Sequence, residues 1–142
     1  MSLSMNDALS FVRDAARQIP RDEVDAAILI VLMTQGFSTE PDGLEYLRQA
    51  IFLRYQKRHL RLTEIYTEIA ENHPSGLNAS QVEQGIRASI EAAWKNGNME
   101  ALHVCFPEDE KPTNGKFIST MANIIYLWTK CFHDDSRHNK MR

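Results

Sequence analysis

Apolar residues recur along this chain at intervals of three and four positions, the spacing that places them on one face of an α-helix. A first series over residues 6–18 predicts an amphipathic helix that Pro20 ends, since a residue before proline avoids helical geometry. A second predicted helix, capped by Asp22 and running to about Thr34, is apolar on most sides. We therefore expect it to be central, with Gly36 as its terminator.

The same periodicity continues through the rest of the chain. Asn78 followed by Gln81 predicts a capping box at one helix start, and Asn114 is the expected N-cap of the last helix. No long segment alternates in polarity, so the predicted fold is all-α, a bundle of six to seven helices. A polar, frayed tail is expected from residue 133. The five further helices are predicted over residues 39–55, 63–70, 78–97, 99–106 and 114–132.

Composition narrows the class of protein. The 142 residues are 43% hydrophobic and 25% charged, as in a globular domain. The longest apolar run, residues 26–33, is far shorter than the roughly 20 residues that span a membrane. Cys105 and Cys131 lie too far apart in the sequence for a thiolate zinc site. Two cysteines that form no disulfide scaffold fit the reducing cytoplasm. The start has no signal peptide, and Met5 suggests that residues 1–4 are a cloning remnant.

Catalytic chemistry finds no support in the motifs. The chain contains no zinc-protease, nucleotide-loop or nucleophile-elbow sequence, and its five histidines lack ligand spacing. We therefore expect neither an enzyme, nor a metal site, nor a cofactor. The net charge of −3 does not by itself indicate nucleic acid.

Residues 63–97 do predict a function, because a short helix, an interruption and a longer capped helix describe a helix-turn-helix. On spacing alone, an antiparallel helix pair explains the pattern equally well. In a helix-turn-helix, the polar side chains between the apolar positions of the second helix would face DNA bases. These side chains are Ser80, Gln81, Glu83, Gln84 and Arg87.

Five segments of the chain, in order, resemble motifs of one known family. GLEYLRQAI at 43–51 is similar to G-Y-x-Y-L-R-E-A-I, and YTEIA at 66–70 to Y-P-x-I-A. ASQVEQGIR at 79–87 is similar to A-S-R-V-E-R-A-I-R, IEAAWKNGN at 90–98 to I-E-V-A-W-x-x-G-N, and KPTNGKFI at 111–118 to K-P-T-N-x-x-F-I. The family is the C-terminal effector domain of the sporulation-initiation response regulator of Firmicutes, and the resemblance covers roughly residues 24–128.

The resemblance implies a six-helix DNA-binding domain that binds tandem boxes of the TGTCGAA type and contacts the sigma factor of RNA polymerase through residues 97–106. The family's residue types are kept on the recognition helix at Ser80, Glu83 and Arg87. They are also kept at the start of the last helix, at Lys111, Thr113 and Asn114, where a cation and backbone amides suit a phosphate.

The chain also departs from the family pattern. Gln81 and Gln84 replace arginines, and each bidentate base contact is worth roughly 1–3 kcal/mol of discrimination. The turn between the two helices is two residues longer than in the family. No aspartate-bearing receiver domain fits in this length, so phosphorelay control within the chain is not expected.

The leading hypothesis is a cytoplasmic, stand-alone transcription regulator that binds double-stranded DNA. It divides the chain into an extra helix at 1–20, an effector domain at 21–132 and a tail at 133–142. Homodimers on tandem sites and the sigma factor are possible partners. The alternative is an interaction module that keeps the fold but binds a regulator or sigma factor. The predicted phosphate contacts are Arg54, Lys57, Arg58, Lys95, Lys111, Thr113 and Asn114.

Overall fold

The computed structural model describes residues 24–39 and 42–140, with side chains to residue 130. This part of the chain contains no strand, which confirms the all-α prediction. The helix predicted at 6–18 and the cap at Asp22 lie outside the described residues. Six helices are present: α1 (Val24–Thr34), α2 (Asp42–Gln56), α3 (Leu62–Glu71), α4 (Ala79–Asn96), α5 (Met99–Cys105) and α6 (Asn114–Lys140).

The core receives side chains from all six helices, and the predicted apolar stripes supply them. The helices with a predicted apolar stripe, α2, α3, α4 and α6, bury most of that stripe. The largest fully buried side chains are Ile28, Leu32, Leu47, Ile51, Ile65, Ile69, Ile86, Leu102, Phe117, Ile118, Met121 and Ile125.

The end of α1 confirms the prediction for Gly36, but the position of α1 does not match its expected central place. Gly36 has a φ of +89°, and the amide of Phe37 donates to the Leu32 carbonyl, as in a Schellman C-cap. Ile30 and Met33 on α1 remain 36% and 50% exposed. The central helix is instead α2, which packs against α1, α3, α4 and α6. An all-round apolar helix has no sequence signal for which neighbour covers it.

Two glycines bring α2 and α4 into backbone contact. A Cβ on Gly43 would lie 2.2 Å from the carbonyl oxygen of Gly85, and one on Gly85 would lie 3.0 Å from the Tyr46 ring. Only residues without side chains permit this approach. The contact fixes α4 on the central helix.

The predicted helix-turn-helix is formed by α3, the turn at residues 72–78 and α4. Gly76 takes a φ of +69°, and the ring of His73 packs edge-on against Tyr46 at 5.9 Å. Asn78 Oδ1 accepts from the Gln81 amide at 2.9 Å, and Gln81 Oε1 accepts from the Asn78 amide at 3.0 Å. These two hydrogen bonds confirm the capping box.

The last helix differs from its prediction at both ends. Its capping oxygen belongs to Thr113, which accepts from the Lys116 amide at 3.2 Å, and Asn114 is already helical. Two adjacent cap-forming residues left this choice to the packing, since Asn114 is used elsewhere. The helix then continues to Lys140 rather than fraying from residue 133, because no glycine or proline interrupts it after Gly115.

Candidate nucleic-acid interface

The polar side chains predicted to face outward from α4 do so. Ser80, Gln81, Gln84 and Arg87 are exposed and Glu83 is half-buried. The apolar residues between them are buried in the core. The helix therefore presents a polar face to solvent, as a DNA recognition helix must.

Hydrogen bonds within α4 order this face. Gln84 Nε2 donates to Ser80 Oγ at 3.3 Å, and Arg87 Nη2 donates to Glu83 Oε1 at 2.5 Å. Gln81 uses its carbonyl oxygen in the capping box. Neighbours at i and i+4 lie one above the other on a helix, so the exposed side chains hold one another in place.

A groove of about 500 Å³ runs beside this face, between α4, the first turn of α3 and the start of α6. It brings together five of the predicted site residues, two from α4 and three from the segment leading into α6. These two sets lie 24 or more positions apart in the chain. The five residues are Glu83, Arg87, Lys111, Thr113 and Asn114.

Asn114 joins the three helices that form the groove. Its Nδ2 donates to the Tyr66 hydroxyl at 3.2 Å and to the Glu83 backbone carbonyl at 3.1 Å. Burial raises the pKa of Tyr66, so its hydroxyl stays neutral. This network sets the position of α4 relative to the amino end of α6.

Acidic and basic residues alternate along α4 at intervals of four. Glu83, Arg87, Glu91 and Lys95 occupy successive turns of the helix. Glu91 also binds Lys111 across the groove edge, with 2.7 Å between Lys111 Nζ and Glu91 Oε1. That hydrogen bond lowers the pKa of Glu91, so the carboxylate is ionised at neutral pH.

The other predicted phosphate contacts lie outside the groove. Arg54 donates to the Leu60 and Arg58 carbonyls and so closes the α2–α3 loop. Lys57 pairs with Glu68 at 3.4 Å. The guanidinium of Arg58 lies 3.6 Å from the centre of the Tyr126 ring, on the middle of α6. Lys95 is exposed one turn beyond Glu91.

Sequence reasoning missed two residues of this site, Tyr66 and Glu91. Tyr66 lies in the motif at 66–70, and a tyrosine on an apolar face brings a hydroxyl that usually finds a hydrogen-bond partner when it is buried. Glu91 was detectable from the alternating charges at intervals of four. Neither signal identifies Asn114 or Lys111 as the partner, because those pairs join distant segments.

The arrangement can hold a negatively charged backbone beside an ordered polar helix face. Thr113 caps α6, and the start of that helix lines a groove that also contains Arg87 and Lys111. Helix amino termini and cations both attract phosphate. The described residues contain no cluster of three potential metal ligands. None of the helices described here is long and apolar enough to cross a membrane.

An all-α bundle with a capped recognition helix and an adjoining groove of this kind defines the helix-turn-helix class of DNA-binding domains. Comparison with known families gives the same result in more detail. The protein-family model described as the C terminal domain of sporulation initiation factor Spo0A matches residues 28–125 of this chain. This match covers more than half of the chain, which therefore belongs to that family. A DNA-binding role in general follows, and the predicted family resemblance is confirmed.

Proposed function

We propose that this chain is a sequence-specific transcription regulator that binds double-stranded DNA in the cytoplasm and catalyses no reaction. Its recognition helix, α4, lies in the major groove, where Ser80, Gln84 and Arg87 contact bases. The exposed amide of Gln81 and the carboxylate of Glu83 reach the same edges. Action without a receiver domain, assembly on tandem sites and contact with the sigma factor stay predictions.

The observation that supports this proposal is the groove shared by α4 and the start of α6. Base contacts specify sequence, whereas phosphate contacts set position on the duplex. Arg87 lies on the base-facing helix, and Lys111 and Thr113 lie across the groove from it. Lys111 and Thr113 hold a phosphate, and this contact sets which base pairs lie opposite the side chains of α4. Arg54, Lys57 and Arg58 are left with secondary phosphate contacts at most, since all three lie outside this groove.

The proposal is tested by fluorescence anisotropy with three duplexes at two salt concentrations. One carries tandem TGTCGAA boxes, one is scrambled, and one is selected from a random pool on this protein. We expect tighter binding to a defined sequence, and a salt dependence with a slope of about −0.9 per phosphate contact. Preference for the selected over the family box would assign the change in specificity to Gln81 and Gln84. Equal, weak binding to all three duplexes would contradict the proposal.

Arg87→Ala separates base recognition from general charge. The substitution should weaken the binding free energy by about 1–3 kcal/mol on the preferred duplex, and by less on the scrambled one. Lys130→Ala is the matched control, since Lys130 is exposed about 24 Å further along α6 than Asn114 at 1.5 Å per residue. Unchanged affinity of Arg87→Ala for every duplex would show that α4 is not the recognition helix.

A second function is favoured by one observation, the charge balance of α4. Its two acids equal its two bases, and Arg87 is already paired with Glu83. A surface of this kind suits a protein partner as well as DNA. Under this alternative, the chain keeps the fold and binds a full-length family member or a sigma factor. Co-elution with either purified protein in the absence of DNA, together with flat anisotropy curves, would establish it.

A further inference from the structure

Lys111 lies at the edge of the groove with a carboxylate already bound to it. Glu91 belongs to α4, whereas Lys111 belongs to the loop between α5 and α6, so their 2.7 Å contact joins two separate elements. Pro112, which follows Lys111, is buried, and a residue before proline favours extended backbone. The side chains of Lys111 and Glu91 are 35% and 48% exposed. Both therefore face the solvent from which a DNA phosphate would approach.

A carboxylate and a phosphate offer the same chemistry to a lysine. Each presents anionic oxygens that accept from the ammonium group. A lysine adds to DNA affinity because its contact with a phosphate releases a counterion from the duplex. A lysine neutralised by its own protein contributes less, since the phosphate must first displace the carboxylate.

We propose that Glu91 is an intramolecular competitor for the DNA phosphate at Lys111. This inference rests on the DNA-binding function proposed above. Glu91 weakens binding to DNA of every sequence by a similar factor, because phosphates are the same in every duplex. The sequence-independent part of the affinity is thereby held down, and the base contacts of α4 decide which sites are occupied. Glu91 therefore sets the overall affinity for DNA without changing the preference between sequences, and it touches no base.

The positions of neighbouring charges support this role for Glu91 in particular. Arg87 and Lys95 lie one turn to either side of it on α4, and both favour its ionised form. Glu83, the other acid of the series, pairs with Arg87 inside the same helix. Among these acids, Glu91 alone holds a cation of the segment that leads into α6.

The test is Glu91→Gln, measured by anisotropy against the selected and the scrambled duplex over a range of salt concentrations. We expect both affinities to rise by the same factor, about two- to tenfold, and the salt slope to steepen by about 0.9. Glu71→Gln is the matched control, because it removes an exposed acid at the end of α3, outside the groove. It should leave both affinities unchanged.

Competition is distinguished from simple repulsion by repeating the substitution in a Lys111→Met background. In that background there is no ammonium group at position 111 for Glu91 to neutralise. Glu91→Gln should therefore no longer raise the affinity for DNA. An equal gain in both backgrounds, or no gain in either, would overturn the inference while the wild-type chain still binds DNA. Failure of the wild-type chain and of Glu91→Gln to bind any duplex would instead overturn the proposed function itself. Circular dichroism on each variant checks that the helices are intact.

Discussion

At the scale of a single residue, Gly43 is required by packing although it lies in a helix, where glycine is unfavourable. Alanine is the better helix former by about 1 kcal/mol, yet a Cβ here would lie 2.2 Å from the Gly85 carbonyl oxygen and 3.0 Å from Ser89 Cβ. The first of these is backbone, which has no rotamer to change. The sequence shows a glycine in an amphipathic series, but only the fold shows that α4 passes directly over it.

Gly43→Ala should therefore destabilise the protein, by about 1–3 kcal/mol as is typical of overpacking. The free energy of unfolding is measured by urea denaturation. Gly115→Ala is the control, because its Cβ would meet only the flexible end of Leu62, at 3.3 Å. We expect Gly115→Ala to lower the free energy of unfolding by less than Gly43→Ala does. Equal stability of Gly43→Ala and the wild type would mean that α2 and α4 are not in backbone contact.

At the scale of the element, the recognition helix was the most predictable part of the chain. Its cap, its stripe and its end are all local, so α4 could be delimited from the sequence. The start of α6, in contrast, could not be assigned from local sequence. Thr113 and Asn114 both form good caps, and the choice between them depends on the bonds from Asn114 to Tyr66 and Glu83. Those partners are at least 31 positions away.

Asn78→Ala should remove the cap of α4 and cost about 1 kcal/mol of stability, since the Gln81 amide loses its side-chain acceptor. Asn78→Asp keeps an acceptor oxygen and adds a negative charge at the amino end of the helix. It should therefore be as stable as the wild type in thermal or urea unfolding. A loss in the aspartate variant as large as that in the alanine variant would argue against the capping role.

At the scale of the whole molecule, α2 is the element on which the others are arranged. Arg48 on this helix binds Glu45 one turn away and Asp25 on α1, and so ties the first two described helices together. The hydrogen bond from Arg48 is the main reason why the pKa of Glu45 lies below its ordinary value of 4.5. Sequence spacing suggests the Arg48–Glu45 pair, whereas the bond to Asp25 depends on how α1 packs.

The depressed pKa of Glu45 makes part of the stability depend on pH. The unfolded chain binds a proton at Glu45 more readily than the folded chain, so this stabilisation is present above about pH 4.5 and is lost as the pH falls through the lower, folded value. Glu45→Gln should cost less than about 1 kcal/mol at neutral pH, because the pair is partly exposed. The difference from the wild type should vanish in acid.

Urea titrations across this pH range measure the effect. In an Arg48→Gln background the cation is gone, and Glu45→Gln should produce a much smaller pH-dependent difference, since only the weaker hydrogen bond from Gln49 then favours the ionised carboxylate. A difference that persists unchanged in that background would assign the low pKa to something other than Arg48.

The sequence by itself determined the all-α class, the capping box of α4, the glycine end of α1, and the family, because all of these depend on residues close together in the chain or on collinear motifs. The tertiary structure alone decided which helix is central, which residue caps α6, and that Arg87 and Lys111 share one groove while Arg54, Lys57 and Arg58 lie outside it. The physical reason is that helical periodicity specifies which face of a helix is buried. It does not specify which helix covers that face, and a site built from several helices exists only once that choice is made.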